Sequence, residues 1–181
     1  MPSPKVGSSN LDPTALAYPL LGFWREIDAQ GLSNERFAEF ATSDRFGVAD
    51  GMALRQTRQP GAVYLDNAGR TFEIEKVAVS GFVTPLWRRI LLMIFRQAEF
   101  IEHWVTYEVI ELPPMAFEDA KVRVRASIER NQEDWIDDEA MAGEAGEPVR
   151  LEDVIASALD AVRGATTVKD LFERLTVAWR Y

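Results

Sequence analysis

Residues 62–79 read AVYLDNAGRTFEIEKVAV, and no other part of the chain states its secondary structure as plainly. Val63, Tyr64 and Leu65 are strand formers, Asp66-Asn67-Ala68-Gly69 is a turn cluster, and residues 71–77 alternate polar and apolar side chains. The stretch therefore reads as a β-hairpin, with Gly69 free to take the positive φ that closes its loop. Phe72 and Ile74 share one parity, whereas Val77 and Val79 have the other. A bulge near Glu75–Lys76, or burial on both faces, is needed to reconcile them.

Outward from the hairpin, WVTYEVIEL at 104–112 is β-branched and aromatic, stops at Pro113-Pro114, and joins the same sheet. Between the two, Leu86, Trp87, Ile90, Leu91, Ile94 and Phe95 follow Thr84-Pro85 and form a broad apolar helical face, with a buried strand as the alternative for 84–96. After the prolines the apolar period lengthens. Phe117, Val124, Ile128 and Trp135 mark a helix over 116–135; Leu151, Val154, Ile155, Ala158, Leu159 and Val162 mark a second; Thr167 with Asp170 caps a third.

Ahead of the hairpin, Asp12-Pro13 opens a short helix before Pro19. Leu20, Phe23, Trp24 and Ile27 fit helical spacing up to Gly31, and Ser33 caps a further helix through Ala41. Residues 42–61 read as an irregular connection holding one or two helical turns at most. The expected fold is α+β: a small, mostly antiparallel sheet made of the hairpin 62–79 and strand 104–112, packed by N-terminal helices and three C-terminal helices. Residues 1–10 are read as a disordered start, 11–181 as a single domain, and 137–149 as an acidic loop.

The 181 residues include no Cys, which removes disulfides, thiol catalysis and cysteine-ligated metals. The longest apolar run, residues 90–95, is far short of the roughly 20 residues a membrane span needs. No secretory signal is legible in MPSPKVGSSNLDP, so a cytoplasmic location without membrane contact is the expectation. The net charge is −9, and residues 129–153 alone hold ten acids against two arginines. Such a block repels nucleic acid and favours a basic protein partner.

Motifs for chemistry are sparse. His103 is the single histidine, and no G-x-S-x-G elbow or phosphate-cradling glycine loop accompanies it. Glu99 and Glu102 lie near His103, so a small carboxylate- and histidine-dependent enzyme is one alternative, and a structural subunit of a larger assembly is another. Asp137-Asp138-Glu139 fits no EF-hand register and reads as solvated charge. Arg88-Arg89 and Lys121/Arg123/Arg125 are the basic clusters, the latter placed to pair with Glu118 and Glu129 along its own helix. The five tryptophans read mostly as core, with Trp135 set apart among acids as an interface anchor.

The D-x-x-G hairpin (Asp66 to Gly69, then Thr71 to Val77), the strand ending near Leu112, the helix to Trp135, the acidic loop and the closing helix introduced by Thr166-Thr167-Val168 together resemble small uncharacterised bacterial proteins that include immunity proteins of toxin systems. The likeness covers residues 60–178. It implies a role in binding and blocking a cognate toxin, and with the charge pattern and the sparse motifs the expectation is a non-enzymatic, cofactor-free binding protein of the bacterial cytoplasm with a basic protein partner. From the charge pattern, the expected partner-binding residues are Glu133, Asp134, Trp135, Asp137, Asp138, Glu139, Glu144 and Glu147, with no catalytic or metal-binding residue assigned.

Overall fold

The computed structural model describes residues 9–27, 33–132 and 150–178. The hairpin is present: strand β5 (Val63–Asp66) turns through Gly69, at φ +82°, into the long strand β6 (Thr71–Phe82). The parity conflict is resolved by a bulge, since the pairing register shifts between Ile74 and Lys76 and shifts again between Val79 and Gly81. Asp66 holds the turn. Its fully buried carboxylate accepts from the Ala68 and Arg70 backbone N–H groups and from the Arg70 guanidinium.

Around the hairpin the described strands form one antiparallel sheet of seven. In chain order these are β1 (Ser9–Leu11), β2 (Leu20–Ile27), β3 (Ser33–Phe40), β4 (Val48–Ala49), β5, β6 and β7 (His103–Leu112). The spatial order is β1-β7-β6-β5-β2-β3, with β4 also pairing with β7. Three layers result. Helices α4 (Phe117–Arg130), α5 (Leu151–Gly164) and α6 (Val168–Ala178) cover one sheet face, meeting Leu21, Phe23 and Leu65. The other face carries a second core, in which Leu20, Trp24, Phe40, Tyr64, Phe72 and Tyr107 gather around Phe46. Phe46 comes from the short helix α1 (Ser43–Gly47), and α2 (Gly51–Arg55) follows it, so residues 42–61 hold the short helical turns expected of them.

The fold is α+β with an antiparallel sheet, as expected, but the N-terminal helices expected over 20–41 are absent and their residues enlarge the sheet. Those residues are the hairpin of β2 and β3, in register from Leu20–Phe40 to Ile27–Ser33. β2 is an interior strand with Leu21 and Phe23 in one core and Leu20 and Trp24 in the other. Burial on both faces erases the period-two signal, and the remaining run happens to fit helical spacing. Gly22 is the residue that betrays the strand. A Cβ there would lie 2.6 Å from Tyr64 Cε1 and 3.1 Å from Phe40 Cε2, so the backbone passes the rings only as glycine. The short helix before Pro19 is a 3-10 turn, Pro13–Ala15, with Asp12 accepting from the Thr14 backbone N–H.

Residues 84–96 are helical, as α3 (Leu86–Ile94), followed by a 3-10 turn at Ala98–Phe100. This segment is the tip of the β6–β7 hairpin, and its main packing partner is that same 3-10 turn. The three C-terminal segments expected as helix carry α4, α5 and α6, α4 ending at Arg130 and residues 133–135 of its expected span lying outside the described residues. Asp170 accepts from Thr166 while its own N–H donates to Thr167 Oγ1, as a cap should. Lys121–Glu118 and Arg125–Glu129 pair along α4 as their spacing suggested.

Candidate functional site

The eight residues expected to bind a partner, Glu133, Asp134, Trp135, Asp137, Asp138, Glu139, Glu144 and Glu147, lie outside the described residues, as does the acidic loop 137–149. The described parts that bracket them are α4, whose terminal Asn131 donates to the Glu35 and Ser127 carbonyls, and α5, whose first turn carries Glu152 and Asp153.

His103 sits in β7 with Phe82 of β6 as its cross-strand partner and Ala49 of β4 on its other side. Its ring lies 4.9 Å from that of Phe82, and its Nδ1 is buried without a hydrogen-bond partner among the described residues. The acids nearby in sequence do not converge on it: Glu99 pairs with Arg55 at 3.1 Å, and Glu102 is exposed. Among the described residues no three His, Asp or Glu side chains approach one another closely enough to hold a metal ion. Among the described residues two grooves, of about 480 Å³ between α5 and α6 and about 340 Å³ between α4 and α5, are lined in part by charged side chains that pair along their own helices, and in the second Lys121 also donates to the Arg163 and Ala165 carbonyls.

The second core contains an unusual charge. Arg58 is 2% exposed, and its guanidinium carbon lies 4.0 Å from the centroid of Phe40 and 4.8 Å from that of Phe46. It donates to the Arg45 carbonyl at 2.7 Å and forms no ion pair among the described residues. Aromatic faces and carbonyl dipoles replace the missing carboxylate. Around it Tyr107 donates to the Phe46 carbonyl at 2.6 Å and Tyr64 donates to the Thr57 carbonyl. Burial pushes the hydroxyls of Tyr18, Tyr64 and Tyr107 above the ordinary tyrosine range, with the Arg58 charge opposing the shift. The cluster is closed to solvent and holds α1 and the 55–58 turn to the sheet.

The helix α3 is as expected, but what its sequence does not show is which way its apolar face points: Leu86, Trp87, Ile90, Leu91, Met93, Ile94 and the adjoining Phe95 are all exposed, Ile94 and Phe95 by 67% and 69%. Only Arg89 and Leu92 of this helix are half-buried. Arg89 turns toward the protein, its guanidinium carbon 3.9 Å from the centroid of Phe82. The helix is thus inside-out, with a basic residue against the body and the apolar arc in solvent. Val79, Phe82, Phe100 and Trp104 add exposed apolar surface on the same hairpin arm and its flanks. Of the tryptophans expected as core, Trp24 is buried, whereas Trp87 and Trp104 are not. Scattered exposed apolar residues are ordinary, whereas so many on one short element and its flanks are not. The available signal was the width of the apolar arc, more than half the helix circumference at about 100° per residue, too broad for a helix resting on one sheet face.

Compared with known proteins, the chain matches no family model, no curated protein and no solved structure. Among the described residues, no helix is long and apolar enough to cross a membrane.

Proposed function

We propose that the protein is a non-enzymatic binding protein whose docking element is α3, presented at the tip of the β6–β7 hairpin. The observation that carries this reading is the orientation of the helix: its apolar arc faces solvent while Arg89 and Leu92 face the body. An isolated helix of nine residues is marginal in water, so α3 is held by its anchoring at both ends and not by burial of its own apolar side. The Thr84 hydroxyl accepts from the Glu102 N–H at 2.8 Å, and the Val83 N–H donates to the Glu102 carbonyl, tying off the base of the tip. A photo-crosslinking residue placed at Trp87 or Ile94 in living cells tests it, with Asp160 on α5 as control. One common adduct from both tip positions and none from the control is expected. Indistinguishable patterns from all three would remove α3 from the function.

A second reading keeps the acidic stretch 129–153 as a contact for a basic protein, with a toxin as partner and immunity as the role. Its support is the sequence charge of that stretch, ten acids against two arginines. A tagged pull-down washed at low and then high salt, comparing the parent with Glu133→Gln, Asp134→Asn, Asp137→Asn, Asp138→Asn and Glu139→Gln combined, tests it. Equal recovery of a basic partner by both chains would dispose of the acidic contact.

A further inference from the structure

The charge on the hairpin arm says what kind of surface α3 fits. Between Glu75 and Glu99 there is no acid, while Lys76, Arg88, Arg89 and Arg96 are basic, in a chain whose net charge is −9. Lys76 is occupied by Glu108 at 2.8 Å and Arg89 by the Phe82 ring. Arg88 and Arg96 are exposed and form no ion pair among the described residues, and Arg96 sits at φ +58° just past the helix. We propose that α3 lies in the plane of an anionic lipid surface, with Leu86, Trp87, Ile90, Leu91, Ile94 and Phe95 buried at the headgroup–acyl boundary and Arg88 and Arg96 on the lipid phosphates. This names the occupant of the docking element argued above and rests on that reading.

Three observations favour lipid over the other occupants. A second copy is disfavoured by charge, because symmetric pairing of two α3 helices brings arginines together with no acid from either tip. A grooved protein partner takes a narrow stripe of anchors at i, i+3/i+4 and i+7, whereas the arc here spans roughly 200° at about 100° per residue. A fluid surface accepts the wide arc, and it also accepts Phe100 of the adjoining 3-10 turn, which is exposed as well. The composition is that of an interfacial helix, with Trp, Phe and Leu inward and arginine at the border. At nine residues, or about 13 Å at 1.5 Å per residue, α3 lies on a bilayer and does not span one. The expectation of no membrane contact rested on the lack of a spanning segment, which a surface helix does not need. The acidic remainder of the chain is repelled by the same surface and so orients the molecule tip-first.

Flotation of the full chain with vesicles tests the proposal, using phosphatidylcholine alone and phosphatidylcholine with about 30% phosphatidylglycerol at low salt. The expected result is at least roughly tenfold more bound protein on the anionic vesicles, reduced by high salt. Ile94→Glu with Phe95→Glu abolishes binding. Arg88→Gln with Arg96→Gln lowers it about tenfold while leaving the apolar arc intact, each variant keeping the parent's circular dichroism. No flotation, equal binding to both vesicles, or binding untouched by the Ile94/Phe95 pair overturns the lipid assignment. Mass against concentration is measured in parallel. A dimer that reverts to monomer in the Ile94/Phe95 variant assigns α3 to a second copy. A single protein adduct from both tip crosslinkers assigns it to a protein groove. Either result overturns the lipid proposal and leaves α3 as a docking element, whereas failure of flotation, association and crosslinking together removes both.

Discussion

Arg123 of α4 closes a two-pronged ion pair on Glu35 of β3, with contacts of 2.9 and 2.6 Å between residues 88 apart in the chain. The same guanidinium lies 4.2 Å from the centroid of Phe23 on the neighbouring strand β2. One arginine thus fastens the helical layer to the edge of the sheet by charge and by stacking, and both partners are about three-quarters shielded from solvent, at 27% and 26% side-chain exposure. Arg123→Ala is expected to cost about 2 kcal/mol of unfolding free energy, and Glu35→Ala somewhat less, because it spares the stacking. A double-mutant cycle in urea should return a coupling of about 1 kcal/mol, and additive single effects would show the pair to be decorative.

Gly22 is expected to tolerate no side chain. Gly22→Ala forces a methyl into the Tyr64 and Phe40 rings, both fixed in the aromatic cluster around Phe46. Overpacking at such a site costs about 1–3 kcal/mol, and chemical denaturation reads it directly. A parent-like midpoint would mean the rings move aside freely.

Replacing Arg58 separates its packing from its charge. Arg58→Ala leaves a void between Phe40 and Phe46 and an unpaired Arg45 carbonyl, for an expected loss of about 3 kcal/mol. Arg58→Met refills the volume without the charge and should recover part of that loss. Equal losses in the two variants would assign the whole effect to the missing charge.

The buried tyrosines set the alkaline limit. Tyr64 and Tyr107 have folded-state pKa values raised above the unfolded 10.0, chiefly by burial. The folded state therefore holds these protons more tightly, so the associated stability is complete below the unfolded value and is lost as pH rises above it toward the folded one. Unfolding free energy should be level approaching pH 10 and fall beyond it, and Tyr107→Phe should flatten that fall while lowering stability at neutral pH through loss of the bond to Phe46. A fall of equal slope in both proteins would exonerate Tyr107.

At the acid end Asp170 acts with the opposite sign. Hydrogen bonds from Arg174 first, and then from the Thr166 backbone, hold its carboxyl below the usual value of 3.8. Its stabilisation is present above the unfolded pKa and is lost as pH falls through the depressed folded one. Asp170→Asn should lower the thermal midpoint of α6-containing protein at pH 7 and leave it nearly unchanged at pH 2, and an equal deficit at both would reassign the effect to the amide's geometry.

The amino-acid sequence alone determined the elements whose signals are local. The 62–79 hairpin and strand 104–112 follow from turn chemistry and period-two alternation, which left a bulge near Glu75–Lys76 or burial on both faces as alternatives until the pairing register showed the bulge. The helix caps at Asp12 and Thr167 and the ion pairs along α4 follow from spacing on a single element. Tertiary structure decided everything that depends on what covers a face. Residues 20–40 are strands because both faces of β2 are buried by different cores, and Gly22 matters because Tyr64 crosses it from β5. Arg58 tolerates burial because Phe40 and Phe46 meet it from β3 and α1. An apolar helical arc has the same sequence whether it points into a core or out of it. Only the tertiary structure places α3 beyond the end of the sheet, with Arg89 on Phe82 and Ile94 in solvent, and so leaves its apolar arc exposed.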